Sequence, residues 1–134
     1  MTRARISPSA RPRLWAGVDM VQVGEARELL ERYGERFLRK CFGSEEIAFC
    51  LAQRDPAPHL AARLAVKEAF IKAVRGRCPT ALHEIQTVKD ARGAPGIRLV
   101  GSVARASKRL PQRRFHVSMS HAGDYAIAHV IGVA

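Results

Sequence analysis

The stretch from His59 to Val74 contains neither glycine nor proline and is rich in alanine. It is bounded by Asp55-Pro56-Ala57-Pro58 on one side and by Gly76 and Pro79 on the other. Such a run predicts one strong helix, stopped where Gly76 can close it and Pro79 cannot continue it. At 100° per residue Leu60, Leu64, Ile71 and Val74 share one side, so the rest of the chain must cover that stripe. Glu68 borders the stripe, Lys72 lies one turn further, and Ala61, Ala65 and Ala69 surround the two. The pair reads in two ways. It is either a surface i,i+4 pair worth roughly 0.2–0.5 kcal/mol, or a charged couple in the room that small neighbours leave for a ligand.

The other elements follow from weaker signals. Leu14 to Val21 is a short apolar run, consistent with a buried strand ending near Asp19. Residues 25–40 favour helix through Leu29, Leu30, Tyr33, Phe37 and Leu38, with Gly34 weakening an unbroken rod. Ser44 is placed to cap a helix beginning at Glu45, closed by the prolines at 56 and 58. Ile85–Lys89 and Gly96–Val100 flank a turn-forming segment with Gly93 and Pro95, a hairpin signal. A short basic helix is expected over 102–110. Strands follow at Phe115–Met119 and Tyr125–Val133, joined by a turn at His121-Ala122-Gly123-Asp124. A strand, then helices, then hairpin, helix and hairpin argues for an α+β class with an antiparallel sheet. With 134 residues the chain is one domain, taken as 14–134 behind a disordered basic leader, residues 1–13.

Charge narrows the function. The formal net charge is +11, which favours polyanionic partners such as nucleic acid, phosphorylated cofactors or acidic proteins. A nucleic-acid binder is disfavoured, because one Trp, two Tyr and five Phe are not interleaved with the basic residues as stacking platforms require. No run reaches the ~18 apolar residues of a membrane span. Cys41, Cys50 and Cys78 match no zinc or disulfide spacing and read as reduced thiols of a cytoplasmic protein. HExxH, Walker A, G-x-G-x-x-G and G-x-S-x-G motifs do not occur. Asp19 inside an apolar strand must be paired, coordinated or at an exposed strand end. With Glu68 it could hold Mg²⁺, which takes oxygen ligands and keeps waters and phosphates in its remaining positions. Capping a turn or pairing with an arginine would also satisfy Asp19. His116, Ser118 and Ser120 share a polar strand face, which suggests a hydroxyl-lined pocket with His121 at its rim.

Three segments occur in a telling order: Gly17-Val18-Asp19-Met20-Val21, Arg63-Leu64-Ala65-Val66-Lys67-Glu68-Ala69-Phe70-Ile71-Lys72-Ala73, and His116-Val117-Ser118-Met119-Ser120-His121. Together they resemble the holo-[acyl-carrier-protein] synthase family of 4′-phosphopantetheinyl transferases, over residues 14–134. The resemblance implies transfer of the 4′-phosphopantetheine arm of coenzyme A to a serine of an apo acyl carrier protein, releasing 3′,5′-ADP. It implies Asp19 and Glu68 as ligands of Mg²⁺, Glu68 and Lys72 as catalytic residues, and Arg63, Lys72 and His121 as coenzyme A contacts. It also implies a homotrimer with active sites between subunits. Carrier proteins of this kind are acidic, so Arg27, Arg32 and Arg36 are candidate docking residues. The chain departs from the family pattern at Gln22, where an acid is usual, at Glu25, where many members carry a docking arginine, and in Gly76-Arg77-Cys78-Pro79-Thr80. Those departures leave open a catalytically impaired relative that acts as a carrier-protein interaction module.

Overall fold

The computed structural model describes residues 14–134, and the proposed leader lies outside them. Strand β1 (Leu14–Gln22) leads into α1 (Val23–Tyr33) and α2 (Glu35–Cys41), then α3 (Ser44–Leu51) and α4 (Pro56–Ala73). A 3₁₀ turn (Leu82–Glu84) precedes β2 (Ile85–Lys89) and β3 (Pro95–Leu99), followed by α5 (Gly101–Ser107), β4 (Arg114–Ala122) and β5 (Tyr125–Val133). The strands form an antiparallel three-stranded sheet, β1-β5-β4, and a separate β2-β3 hairpin. The α+β class expected from element order is what the chain adopts.

Several local boundaries differ from the sequence reading. The helix expected over 25–40 is two helices, because Gly34 takes a left-handed φ of 51° that breaks the ladder. Helix α3 is capped at Gly43 rather than Ser44, and the Glu46 carboxylate turns back to accept the Gly43 N–H at 3.0 Å. Asp55 and Pro56 do not close α3; they open α4. The Asp55 carboxylate accepts the Ala57 N–H at 3.4 Å, and Pro56 takes the first helical position, where its missing N–H costs nothing. Strand β1 runs three residues past Asp19.

Helix α4 is the centre of the fold. It packs on β1 and β5 on one side and on α1 and α3 on the other. Of the expected apolar stripe, Leu60 and Val74 are buried, but Leu64 and Ile71 are only half-buried, so the stripe does not coincide with the covered face. Ala61, Ala65, Ala69 and Ala73 are the buried small residues, with Leu60, Val66 and Phe70, whereas Leu64, Glu68, Ile71 and Lys72 sit on its least covered side. Small residues face small residues across this contact. Ala69 and Ala73 of α4 stand against Gly17 of β1, and the alanines of α4 fall in two core clusters, Ala65, Ala69 and Ala73 with Ala128 of β5 and Ala61 with Ala126. A Cβ on Gly17 would overlap the Ala69 carbonyl oxygen and stand 2.8 Å from the Ala73 nitrogen. Only glycine lets β1 lie this close, and the approach carries Asp19 to the helix.

The opposite face of the sheet is open. Leu14, Val18 and Met20 of β1 are 59%, 52% and 58% exposed, and Tyr125 and Ile127 of β5 are exposed beside them. Cys50 and Cys78 are buried, Cys41 is half-buried, and all three are free thiols.

Candidate active site

Strand alternation decides which side chains face α4. Trp15, Gly17, Asp19 and Val21 share one face of β1, and Asp19 lies opposite Ala128 of β5, itself opposite Met119 of β4. Asp19 is thus delivered to the helix at the level of Glu68 and Lys72. The Lys72 ammonium donates to the Asp19 carboxylate at 2.9 Å and to the Val18 carbonyl at 3.1 Å. Its partner is Asp19 across the strand–helix seam, not Glu68 on its own helix. Asp19 is only 19% exposed while Lys72 is 56% exposed, so one end of the pair is sheltered and the other faces solvent.

Glu68 and Asp19 line the same cavity, about 710 Å³ in volume. Its walls come from β1, α1, α2 and α4. Met20, Leu29, Tyr33 and Leu64 make it largely apolar, and Arg36 and Lys40 add positive charge. Glu25 is a third carboxylate in the lining, and Lys72 reaches the site through Asp19, so acids and cations over an apolar floor suit a metal-bound polyphosphate ester with an uncharged arm. Asp19 and Glu68 offer hard oxygen donors of the type Mg²⁺ takes. An ion that completes its shell with waters and substrate phosphates needs no more than these two. Among the described residues no group of three or more His, Cys, Asp or Glu gathers, so a closed all-protein metal cage is not built here.

A second cluster forms at the other end of α4. The His121 ring meets the His59 ring edge-on, with centroids 5.5 Å apart, and His59 meets Phe49 of α3 at 5.9 Å. The Arg63 guanidinium lies 4.3 Å over the Phe49 ring, and the Lys89 ammonium lies 4.6 Å over the same ring. Burial, then the charges of His121, Arg63 and Lys89, push the His59 pKa down. Arg63 and His121 are therefore brought together, through His59. Arg63 is 2% exposed and also donates to the His59 carbonyl at 3.4 Å, so it braces the cluster from inside. His121 faces α4, whereas His116, Ser118 and Ser120 sit on the exposed face of the sheet. The hydroxyl-lined pocket expected around His121 does not form, because alternation sends the serines to the other side.

Of the expected docking arginines, Arg27 is held by Asp55 through two bonds of 2.8 and 3.0 Å, which raises its pKa. Among the described residues Arg32 and Arg36 form no ion pair, and Arg36 lines the cavity. Sequence reasoning missed His59, Phe49 and Lys89. It also missed the buried pair in which Lys67 donates to Glu46 at 2.7 Å. Lys67 additionally donates to the carbonyls of Leu82 at 3.0 Å and Ile85 at 2.5 Å, while Glu46 accepts the Thr87 N–H at 3.1 Å. No local pattern marks Lys67, whose neighbours one turn away on the helix are Arg63, Leu64, Phe70 and Ile71.

Comparison with known proteins identifies the family and the fold. The profile of the 4′-phosphopantetheinyl transferase superfamily matches residues 16–130. Among curated relatives, the holo-[acyl-carrier-protein] synthase of Herpetosiphon aurantiacus is 37% identical over 128 residues, covering 90% of this chain and 98% of its own. That of Syntrophotalea carbinolica is 39% identical over 117 residues, covering 86% and 91%. Among solved structures, the synthase of Neisseria meningitidis superposes with a TM-score of 0.82 at 27% identity, covering 90% and 98%. The Chronobacterium ammoniagenes complex with coenzyme A superposes at 0.78 and 31% identity, covering 90% and 96%. A central helix whose two ends carry an acidic and a cationic cluster is thus housed in a shared fold, and this chain belongs to the 4′-phosphopantetheinyl transferase superfamily as a holo-[acyl-carrier-protein] synthase.

Proposed function

We propose that the chain transfers the 4′-phosphopantetheine arm of coenzyme A to a serine of an apo acyl carrier protein, in the cavity that Asp19 and Glu68 share. The observation that carries this reading is the convergence of both carboxylates on one cavity, with Lys72 bonded to Asp19. The serine oxygen attacks the phosphorus bearing the pantetheine arm. The pyrophosphate P–O bond breaks, and 3′,5′-ADP leaves with the electron pair. Such a transfer needs positioning and charge neutralisation more than covalent help from the protein.

Asp19 and Glu68 would hold Mg²⁺, which when bound neutralises the pyrophosphate and orients it for in-line displacement. Lys72 stands beside Asp19 on the solvent side, placed to offset negative charge on the departing phosphate. Glu68 or a water held beside it would accept the serine proton. The apolar wall of Met20, Leu29 and Leu64 suits the uncharged pantetheine arm. The cationic cluster of His121, Lys89 and the buried Arg63 supplies positive potential for the remaining phosphates. Arg32 and Arg36 provide the basic face for an acidic carrier protein, with Arg27 tied to Asp55 beside them.

The exposed apolar sheet face, formed by Leu14, Val18, Met20 and Ile127, supports a homotrimer, since contiguous exposed apolar surface of this kind marks association. No helix among the described residues is long and apolar enough to cross a membrane. The free thiols accord with the cytoplasmic setting proposed here.

The test is transfer from coenzyme A to apo carrier protein with Mg²⁺ present. Asp19→Ala and Glu68→Ala should each lower turnover by about a hundredfold or more while circular dichroism is unchanged. Near wild-type turnover of either variant at saturating Mg²⁺ would sink the assignment.

A further inference from the structure

A smaller cavity lies at the far end of the sheet from the carboxylates. It has a volume of about 350 Å³ and is lined by Ile97 and Leu99 of β3, Lys108 at the end of α5, Gln112 and Arg113 in the following turn, and Phe115 of β4. Gln112 stands over Gly132, where a Cβ would come within 3.0 Å of its side chain. Gly132 pairs with Trp15, and Asp19 pairs with Ala128, four residues along β5. At about 3.3 Å per residue the two sites are roughly 13 Å apart along the strand.

Gln112 is the unexplained residue of this region. It is 1% exposed, yet neither its amide nitrogen nor its amide oxygen has a hydrogen-bond partner. A buried polar group left without partners costs about 1–3 kcal/mol, so an amide kept in this position invites a role. Packing over Gly132 alone holds it, and a change of side-chain rotamer that turns the amide into the cavity breaks no hydrogen bond. It offers a donor and an acceptor side by side. That pattern is met by a flat ring carrying both on one edge, as glutamine meets a purine. Phe115 supplies an aromatic surface for such a ring, and Ile97 and Leu99 supply apolar walls. Lys108 and Arg113 bring two positive charges to the same cavity. The Arg113 guanidinium is fixed by donating to the Lys108 carbonyl at 3.0 Å, which leaves its other N–H groups free for an anion. Arg105, Arg109 and Arg114 extend the basic character on the flanking chain, and no acid occurs between Ala91 and Gly123.

From these features we infer that the cavity between β3, the end of α5 and β4 is a second binding site, for a purine nucleoside monophosphate. The base pairs with the Gln112 amide beside Phe115, and the phosphate sits on Lys108 and Arg113. The volume lies at the small end of ligand pockets and suits a mononucleotide rather than a dinucleotide. Its occupancy is independent of phosphopantetheine transfer.

The experiment is titration of the full chain with AMP, followed by nitrogen–proton correlation spectra that include side-chain amides. Saturable shifts are expected for the Gln112 side-chain amide and for the backbone amides of Arg113 and Phe115. Adenosine and inorganic phosphate, titrated separately, should each bind at least about tenfold more weakly than AMP. Gln112→Leu should abolish these shifts, raise or preserve the melting temperature because it removes an unpartnered amide, and leave transfer activity unchanged. Lys108→Ala with Arg113→Ala should weaken AMP about tenfold and adenosine little. Shifts confined to residues around Asp19, Glu68 and His59 would overturn the inference. So would equal affinity for AMP and phosphate alone, or undiminished binding by Gln112→Leu. Because the readout is local to Gln112, a failed transfer assay leaves its result intact.

Discussion

Replacing Lys67 by methionine removes the ammonium that joins four segments of the fold. Its loss leaves the Glu46 carboxylate, 1% exposed, as a buried charge without a counter-ion, and it strips a donor from the Ile85 carbonyl. Breaking a buried pair by deleting one partner costs about 3–5 kcal/mol, far more than the net worth of the intact pair. An unfolding entropy near 2.1 cal/mol/K per residue puts 1 kcal/mol at roughly 4 °C for a chain of this size, so the midpoint should fall by about 12–20 °C. Adding Glu46→Gln to that variant neutralises the stranded charge and keeps an acceptor for the backbone N–H groups of Gly43 and Thr87. Recovery of roughly 2 kcal/mol, or about 8 °C, is expected. The double variant gives an independent reading, because Glu46→Gln relieves a stranded charge but not lost packing. Calorimetry of wild type and the two variants is the assay. A midpoint loss under about 4 °C, or no recovery in the double variant, would refute the claim that Lys67 neutralises Glu46. The consequence reaches the site, because Leu82, whose carbonyl Lys67 binds, lines the cavity with Glu68.

Two further outcomes are expected. Burial and three neighbouring cations hold the His59 pKa below 6.5, so the folded state binds fewer protons than the unfolded one between that lowered value and 6.5. Stability should drop as pH falls through this window, and urea midpoints of His59→Phe should lose the dependence. Arg32→Glu should raise the apparent KM for carrier protein severalfold, with a steep salt dependence in the wild type, and leave the KM for coenzyme A unchanged; equal changes for both substrates would count against docking. Arg36 is unsuited to this test because it lines the catalytic cavity.

What the sequence made legible was periodic or motif-bound. The hairpin, the last two strands and the central helix were readable because turn residues and runs free of Gly and Pro act locally. Boundaries failed where one residue serves two elements. Asp55-Pro56 ends a region and begins α4 with equal plausibility, and only the hydrogen bond to Ala57 decides it. The face of α4 was misread for a different reason. A stripe of large apolar residues marks the buried side only when a helix has one covered side, whereas α4 is packed by a sheet and by other helices. There the alanines mark the tightest contacts, and Leu64 and Ile71 fall at the open seam.

Spacing alone leaves Asp19, Glu68 and Lys72 as separate candidates, and only the family resemblance groups them. Their meeting depends on Gly17, which removes the one Cβ that would hold β1 off the Ala69–Ala73 backbone. With the strand seated, alternation fixes Asp19 toward the helix, and the open side of α4 presents Glu68 and Lys72 there. The same alternation separates His121 from Ser120 and Ser118, one and three residues before it, and sends it to His59. Both clusters therefore follow from one packing event. A glycine-to-alanine contact seats the sheet, and the polar residues that the contact cannot bury collect at its two ends, one around the carboxylates and one around the histidines.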